Sequence, residues 1–248
     1  MPWAYGALRL PKLLQTHEYI NVPKLKTHIQ AGVTLGCKNQ KGLLSSADKT
    51  RFHRGLNLHD GIRALADAVQ PALTIVDGIT GLDRPGPTLG RSRRAHLIVA
   101  GRDVRAVDVA CCDLISVPVE RIGHLSRVPY HEVGRAVQDV RVRFRLPTEM
   151  VIANVHVHVV PATCSRCLQS MHEGMAAFWR SPRAILRGSW SCILNRTDVI
   201  TGQDTEIPPS AFGRLICYGD CTRGLAQEHD LLWIPGCPPP VRTFLEMF

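Results

Sequence analysis

The 248-residue chain has no apolar run approaching the roughly 20 residues that cross a bilayer. Its longest apolar stretches are strand-length. The N-terminus, MPWAYGALRLPKLLQ, has no continuous apolar core and no small-residue cleavage site. No secretory signal is read, and a cytoplasmic address is expected. Aromatic residues make up only 6%, too few for a platform on which single-stranded nucleic acid would stack. Common enzyme signatures are missing too. There is no G-x-S-x-G, H-E-x-x-H, G-x-G-x-x-G or G-x-x-x-x-G-K-[ST], which removes the usual marks of hydrolases, zinc proteases, dinucleotide-binding folds and P-loop NTPases. The dense C-x-x-C-x-x-C-x-x-x-C run of a two-cluster ferredoxin is also lacking. No internal repeat or low-complexity tract occurs.

What is present reads as a folded protein. Hydrophobic residues are 45% and charged residues 21%, a globular balance. Nine cysteines, an odd number, read in a cytosolic chain as metal ligands, reactive thiols or core residues, not as a disulfide framework. The net charge of +9 favours an anionic partner, but the basic residues are scattered. Arg91, Arg93 and Arg94 form one short cluster. Arg141, Arg143 and Arg145 alternate along VRVRFRLP as the wet face of a strand. A solvated basic surface accounts for this better than nucleic-acid binding.

Two regions emerge: an α/β domain over 1–147, with a mostly parallel sheet, and a smaller cysteine-bearing βαβ region over 148–248. In the first, EYINVPKLKT reads as a strand and AGVTLGCKNQKGLL has helical spacing. NLHDGIRALADAVQ is an amphipathic helix with Asn57 as its N-cap. ALTIVDGI and HLIVAG read as short buried strands separated by a loop, TGLDRPGPTLGRSRR. DVRAVDVACCDLIS follows as a helix with Asp103 as a candidate cap. In the second, VIANVHVHVVPAT reads as an alternating strand and CSRCLQSMHEGMAAFWR as a helix. RLICYGDC, TRGLAQEHD and LLWIPGC then read as strand, helix and strand.

Six of the nine cysteines fall in the second region. Cys164 and Cys167 form C-x-x-C at the mouth of a helix. Cys221 ends a strand and opens a helix. Cys237 ends the next strand, in WIPGCPPP, where flanking prolines stiffen the backbone. Neighbouring parallel strands end side by side, which brings Cys221 and Cys237 to one edge, and the C-x-x-C pair delivered there completes four thiolates. Four thiolates suit an iron–sulfur cluster or a tetrahedral zinc. Helix N-termini favour an anionic cluster, and the irregular spacing differs from the two close pairs of many structural zinc sites. A 4Fe-4S cluster therefore ranks first, zinc second and a redox dithiol third. Cys217 is a core residue or a substitute for Cys221. Cys192 is unassigned, and Cys111 and Cys112 read as buried packing.

A second constellation packs Lys24, Lys26, His28, Lys38, Asn39 and Lys41 into a short span. Such a set suits an anion or phosphate pocket, but chemistry alone favours a solvated basic loop. His53 and His59 add candidate acid–base groups. Asp77 and Gly78 read as a strand end, with Asp103 and Asp108 on the following helix, positions at which α/β sheets collect ligands.

The ordered blocks INVPKLKTH, TLGCKNQKGLL, IVDGITGLDRPGPTLG and GRDVRAVDVACCDLI resemble the domain of unknown function 362 (DUF362), over roughly residues 18–126. The family resemblance implies an association with iron–sulfur proteins but no assigned reaction. The family has a further segment before the Pro-Lys-Leu-Lys-Thr-His block, so this chain reads as N-terminally truncated or compact. IPGCPPPVRTFLEMF is similar to the Gly-Cys-Pro-Pro segment of the small iron–sulfur subunits of NADH:quinone oxidoreductase and nickel–iron hydrogenases. That likeness implies a cluster ligand at Cys237 alone. The adjacent-cysteine motif of those subunits is not reproduced in context.

The leading expectation is a DUF362-type protein with one 4Fe-4S cluster on Cys164, Cys167, Cys221 and Cys237, serving a redox partner protein or a small anionic substrate. One alternative is a zinc-binding interaction module with a basic anion-binding loop. Another is an oxidoreductase or other metal- or cofactor-dependent enzyme, with Lys26, His28 and Asp77 catalytic and Lys24, Lys38, Asn39, Gly78 and Asp108 holding a cofactor.

Overall fold

Alternating apolar and small residues at 73–83 make an eleven-residue strand on which the first sheet is organised. The computed structural model describes residues 2–3, 6–45, 47–49, 58–84, 90–152, 154–159, 163, 165–181, 195–202 and 205–245. The chain divides into two compact units, Met1–Pro147 and Thr148–Phe248, and the architecture is mixed α/β. Among the described residues no helix is long and apolar enough to cross a membrane.

In the first unit a short ladder, β1 (Pro2–Trp3) with β2 (Gly6–Ala7), precedes the sheet. The sheet contains β3 (Ile20–Asn21), β4 (Lys24–His28), β5 (Gly32–Thr34), β6 (Leu73–Asp83) and β7 (Arg91–Gly101). β6 runs parallel to β3 and β4 and antiparallel to β7, and β4 turns back into β5. Three helices accompany it: α1 (Gly36–Asn39), α2 (Leu58–Ala68) and α3 (Val104–Leu114). α2 buries Leu58, Ile62, Leu65 and Ala66 on one face, as its period demands. Each large side chain so buried contributes about 1.5–3 kcal/mol. Asn57 lies outside the described residues. Asp103 caps α3 by accepting from the backbone N–H groups of Arg105 and Ala106. Cys111 and Cys112 are fully buried in the core.

Three segments differ from the sequence expectation. The glycine- and proline-rich stretch after Asp77 is in part sheet: β6 continues to Asp83 and β7 begins at Arg91. Gly81 sits in β6 because a Cβ there would lie 2.6 Å from the Leu25 carbonyl oxygen and 2.8 Å from the Phe144 ring. Glycine here permits close packing, not a turn. Residues 32–43 are not one helix but β5, the single turn α1 and a 3₁₀ turn. VRVRFRLP alternates in burial but joins no ladder. Its Val142 and Phe144 amides instead donate to the carbonyls of Leu114 and Ile115, satisfying the end of α3.

The second unit contains β8 (Glu149–Ile152), β9 (Val155–Val159), α4 (Ser165–Arg180), β10 (Thr197–Thr201), β11 (Arg214–Tyr218), α5 (Arg223–Glu228), β12 (Leu232–Ile234) and α6 (Val241–Leu245). The strand order is β12-β11-β10-β9-β8. Every pair is parallel except β8 with β9, so VIANVHVHV forms a hairpin, not one strand. Parallel strands place their carboxyl ends on one edge. α4 follows β9 and therefore starts at the edge where β11 and β12 finish.

Candidate functional site

That edge carries three of the candidate ligand cysteines, Cys167, Cys221 and Cys237. β11 ends in Gly219, whose backbone, φ 107° and ψ 157°, is open essentially to glycine alone. A Cβ built on Gly219 would lie 3.3 Å from Cys167 Sγ and 3.6 Å from Cys221 Sγ. One residue without a side chain thus makes room for two sulfurs, one from α4 and one from the turn after β11. The β12 end is laced to the same turn. The Gly219 amide donates to the Ile234 carbonyl at 2.9 Å, and the Asp220 amide to the Gly236 carbonyl at 3.0 Å. The Gly236 amide donates to Asp220 Oδ1 at 2.7 Å. Cys237 follows directly and is exposed, as is Cys221. Ser170, three residues beyond Cys167, donates to the Pro239 carbonyl at 2.6 Å and meets the Tyr218 hydroxyl at 3.0 Å. α4, β11 and the Cys237 loop are therefore fastened together around the sulfurs. Cys164 and Cys192 lie outside the described residues. Cys217 is buried within β11, and burial raises its thiol pKa.

The second constellation separates into structural and unsatisfied groups. Lys24 pairs with Asp77 across β4 and β6 at 2.7 Å. Asp77 also accepts from the Ile79 amide. It lies within β6 beside the irregularity between Gly78 and Thr80, not at a strand end. The bond from Lys24, the bond from Ile79 and the Lys24 charge outweigh slight burial and hold its carboxyl below the ordinary value. His28 Nδ1 accepts from the amides of Gln30 and Ala31, shaping the turn between β4 and β5. Asn39 donates to Asn21 Oδ1, and Asn21 donates to the Gly36 carbonyl.

Asp108 is buried and accepts from the amides of Gly36 and Cys37 at 2.6 and 2.9 Å. Burial raises its carboxyl to about 7 despite those bonds.

Lys26 and Lys38 make no hydrogen bond or ion pair among the described residues. Burial, then the charges of Lys41 and Lys26, lowers the Lys38 ammonium to about 7. Burial, then Lys49, lowers Lys41 to about 8. His124, in the loop after the 3₁₀ turn Val119–Arg121, joins this group. It is 3% exposed. Its Nδ1 lies 3.1 Å from Nδ1 of His59, and the two rings stack. Burial, then His59, Lys38 and Arg63, pushes its pKa well below the ordinary value.

Residues 7–113 match the family model described as Domain of unknown function (DUF362). That stretch of the chain is similar to DUF362 domains. A thylakoid-associated protein of Synechocystis sp. is 27% identical over 157 residues, covering 61% of this chain and 49% of the relative. The chain thus spans about half the length of the curated relative it matches. No solved structure matches.

The matched stretch contains Lys26, Lys38 and Asp108 but ends before His124 and the four candidate cysteine ligands. His124 escaped sequence reasoning because a lone histidine in IGHLS carries no spacing signal, and only the fold sets it beside His59. A further cluster arises in the second unit, where Glu149, His156 and Asp198 offer ligand atoms within 4.8 Å of one another. Asp198 is already occupied by Arg196, which contacts both its oxygens, by His158 and by the amides of Phe212 and Gly213. Burial raises its pKa, but Arg196, His158 and Gly213 together hold the carboxyl well below the usual range. This network is a buried structural brace between β9, β10 and the segment before β11.

Proposed function

We propose that this DUF362-like protein is an iron–sulfur protein, with one 4Fe-4S cluster on Cys164, Cys167, Cys221 and Cys237, and that its role is electron transfer or another redox function. The observation that carries the proposal is the pair of sulfurs against Gly219, with the Cys237 loop bonded to the same turn. The donor set fits: soft thiolates, a glycine cradle that a Cβ would crowd, and a helix, α4, beginning at the same edge. The Gly-Cys-Pro-Pro likeness supports Cys237 in particular. A cluster bound there supplies one-electron chemistry whose potential depends on nearby hydrogen bonds and exposure.

The chain's own residues hold the geometry. Trp233 Nε1 and Thr222 Oγ1 both donate to the Gly219 carbonyl, at 3.1 and 2.8 Å, fixing the turn from which Cys221 projects. Exposure of Cys221 and Cys237 leaves that side open to a redox partner protein.

Four thiolates also suit zinc, and metal analysis separates the two. After anaerobic purification, about four irons and four sulfides per chain are expected, with a broad absorption near roughly 400 nm that dithionite bleaches. Cys237→Ser is expected to lose that absorption. One tightly held zinc in a colourless protein would overturn the redox assignment and make the site structural.

A further inference from the structure

The antiparallel register of β4 and β5 sets Thr34 directly opposite Lys26, so their side chains share one face of the sheet. Lys38 follows four residues later, on α1. Thr34 Oγ1 and His124 Nε2 are buried atoms with no hydrogen-bond partner, on residues 6% and 3% exposed. Buried polar atoms are rarely left so, because each forfeits its hydration. Among the described residues the amines of Lys26 and Lys38 make no hydrogen bond or ion pair either. The charges acting on Lys38 are those of Lys41 and Lys26, and those acting on His124 come from His59, Lys38 and Arg63. All are cationic or become so on protonation, and no carboxylate is among them.

We propose that Lys26, Thr34, Lys38 and His124 form a binding site for a phosphate group. Ammonium groups are donors only, the threonine hydroxyl donates, and a neutral imidazole donates from Nε2 when Nδ1 accepts. A donor-rich set without an anion calls for a ligand made of acceptors. A phosphate offers several such oxygens and a charge close to that of two lysines, which bind it as point charges. The site is distinct from the cysteine site and does not depend on a cluster there.

The test is calorimetric titration of inorganic phosphate into the full chain near neutral pH, at ionic strength held constant with chloride. One saturable site is expected. Lys38→Met and Thr34→Val are each expected to weaken it at least tenfold; the second removes only a hydroxyl and keeps the branched shape. Lys12→Met, which removes an exposed charge on the 3₁₀ turn Lys12–Gln15, is expected to bind as the parent does. Three results would each overturn the proposal: no saturable binding, undiminished binding in both site variants, or equal weakening in Lys12→Met. Succinate binding as tightly as phosphate would overturn the assignment to a phosphate group.

Discussion

Gly219 concentrates the demands of the cysteine site in one residue. Its conformation falls where a side chain costs about 1–3 kcal/mol, and a Cβ would sit tightly against Cys167 Sγ. Gly219→Ala is therefore expected to destabilise the protein by about that amount in urea titration and to lower the metal bound per chain. Retention of full metal content would show that the cradle is not needed. Asp108 has a comparable position in the other unit. Its two carboxylate oxygens accept from the Gly36 and Cys37 amides at the start of α1. Asp108→Asn turns an NH₂ toward one of those donors. A loss of about 1–3 kcal/mol is expected, the cost of leaving a buried group unpaired. An unchanged urea midpoint would show that the turn relaxes around the amide.

At the scale of elements, the bond from Ser170 to Pro239 couples α4 to the segment carrying Cys237. Ser170→Ala leaves the Pro239 carbonyl and Tyr218 hydroxyl without this partner. A stability loss of about 1–3 kcal/mol is expected, with faster release of bound metal to a chelator. Stability loss without faster release would make the bond a packing contact only. The same scale shows what was legible in the sequence. α2, α3 with its Asp103 cap, and the β11–α5–β12 unit follow from periodicity and capping residues. The β6–β7 hairpin did not. Gly78 read as a strand end and Gly81 as a loop residue, yet both serve close packing inside a strand, a tertiary requirement that local pattern cannot express. A shared edge for Cys221 and Cys237 was legible because parallel topology forces strand ends together. That Cys167 Sγ and Cys221 Sγ both lie against Gly219 is set by the glycine turn after β11, which carries no spacing signal. The placement of Thr34 opposite Lys26 and of Lys38 near His124 was not legible either, because these residues come from separate stretches of sequence.

For the whole molecule, the cationic group and the buried thiols give opposing pH dependences. Lys38 and Lys41 titrate near 7 and 8 in the folded chain against an ordinary 10.5. Above neutrality the unfolded chain therefore binds more protons at these sites than the folded one does. Stability rises with pH wherever that holds, so it should climb from about pH 7 toward 9. Burial also raises the thiols of Cys37, Cys111 and Cys112 well above an ordinary 9.0. From about pH 9 upward these groups ionise in the unfolded chain first, the folded chain holds the extra protons, and stability falls. Urea midpoints measured between about pH 6 and 10.5 are thus expected to pass through a maximum near 9. Lys38→Met should flatten the rising limb and leave the falling one, because it removes a repelled cation whose charge is not among those acting on the three thiols. Saturating phosphate should also flatten the rising limb, since an anion beside Lys38 raises its folded-state pKa toward the unfolded value. A rising limb unaffected by either change would mean that the lysine cluster is not what sets it.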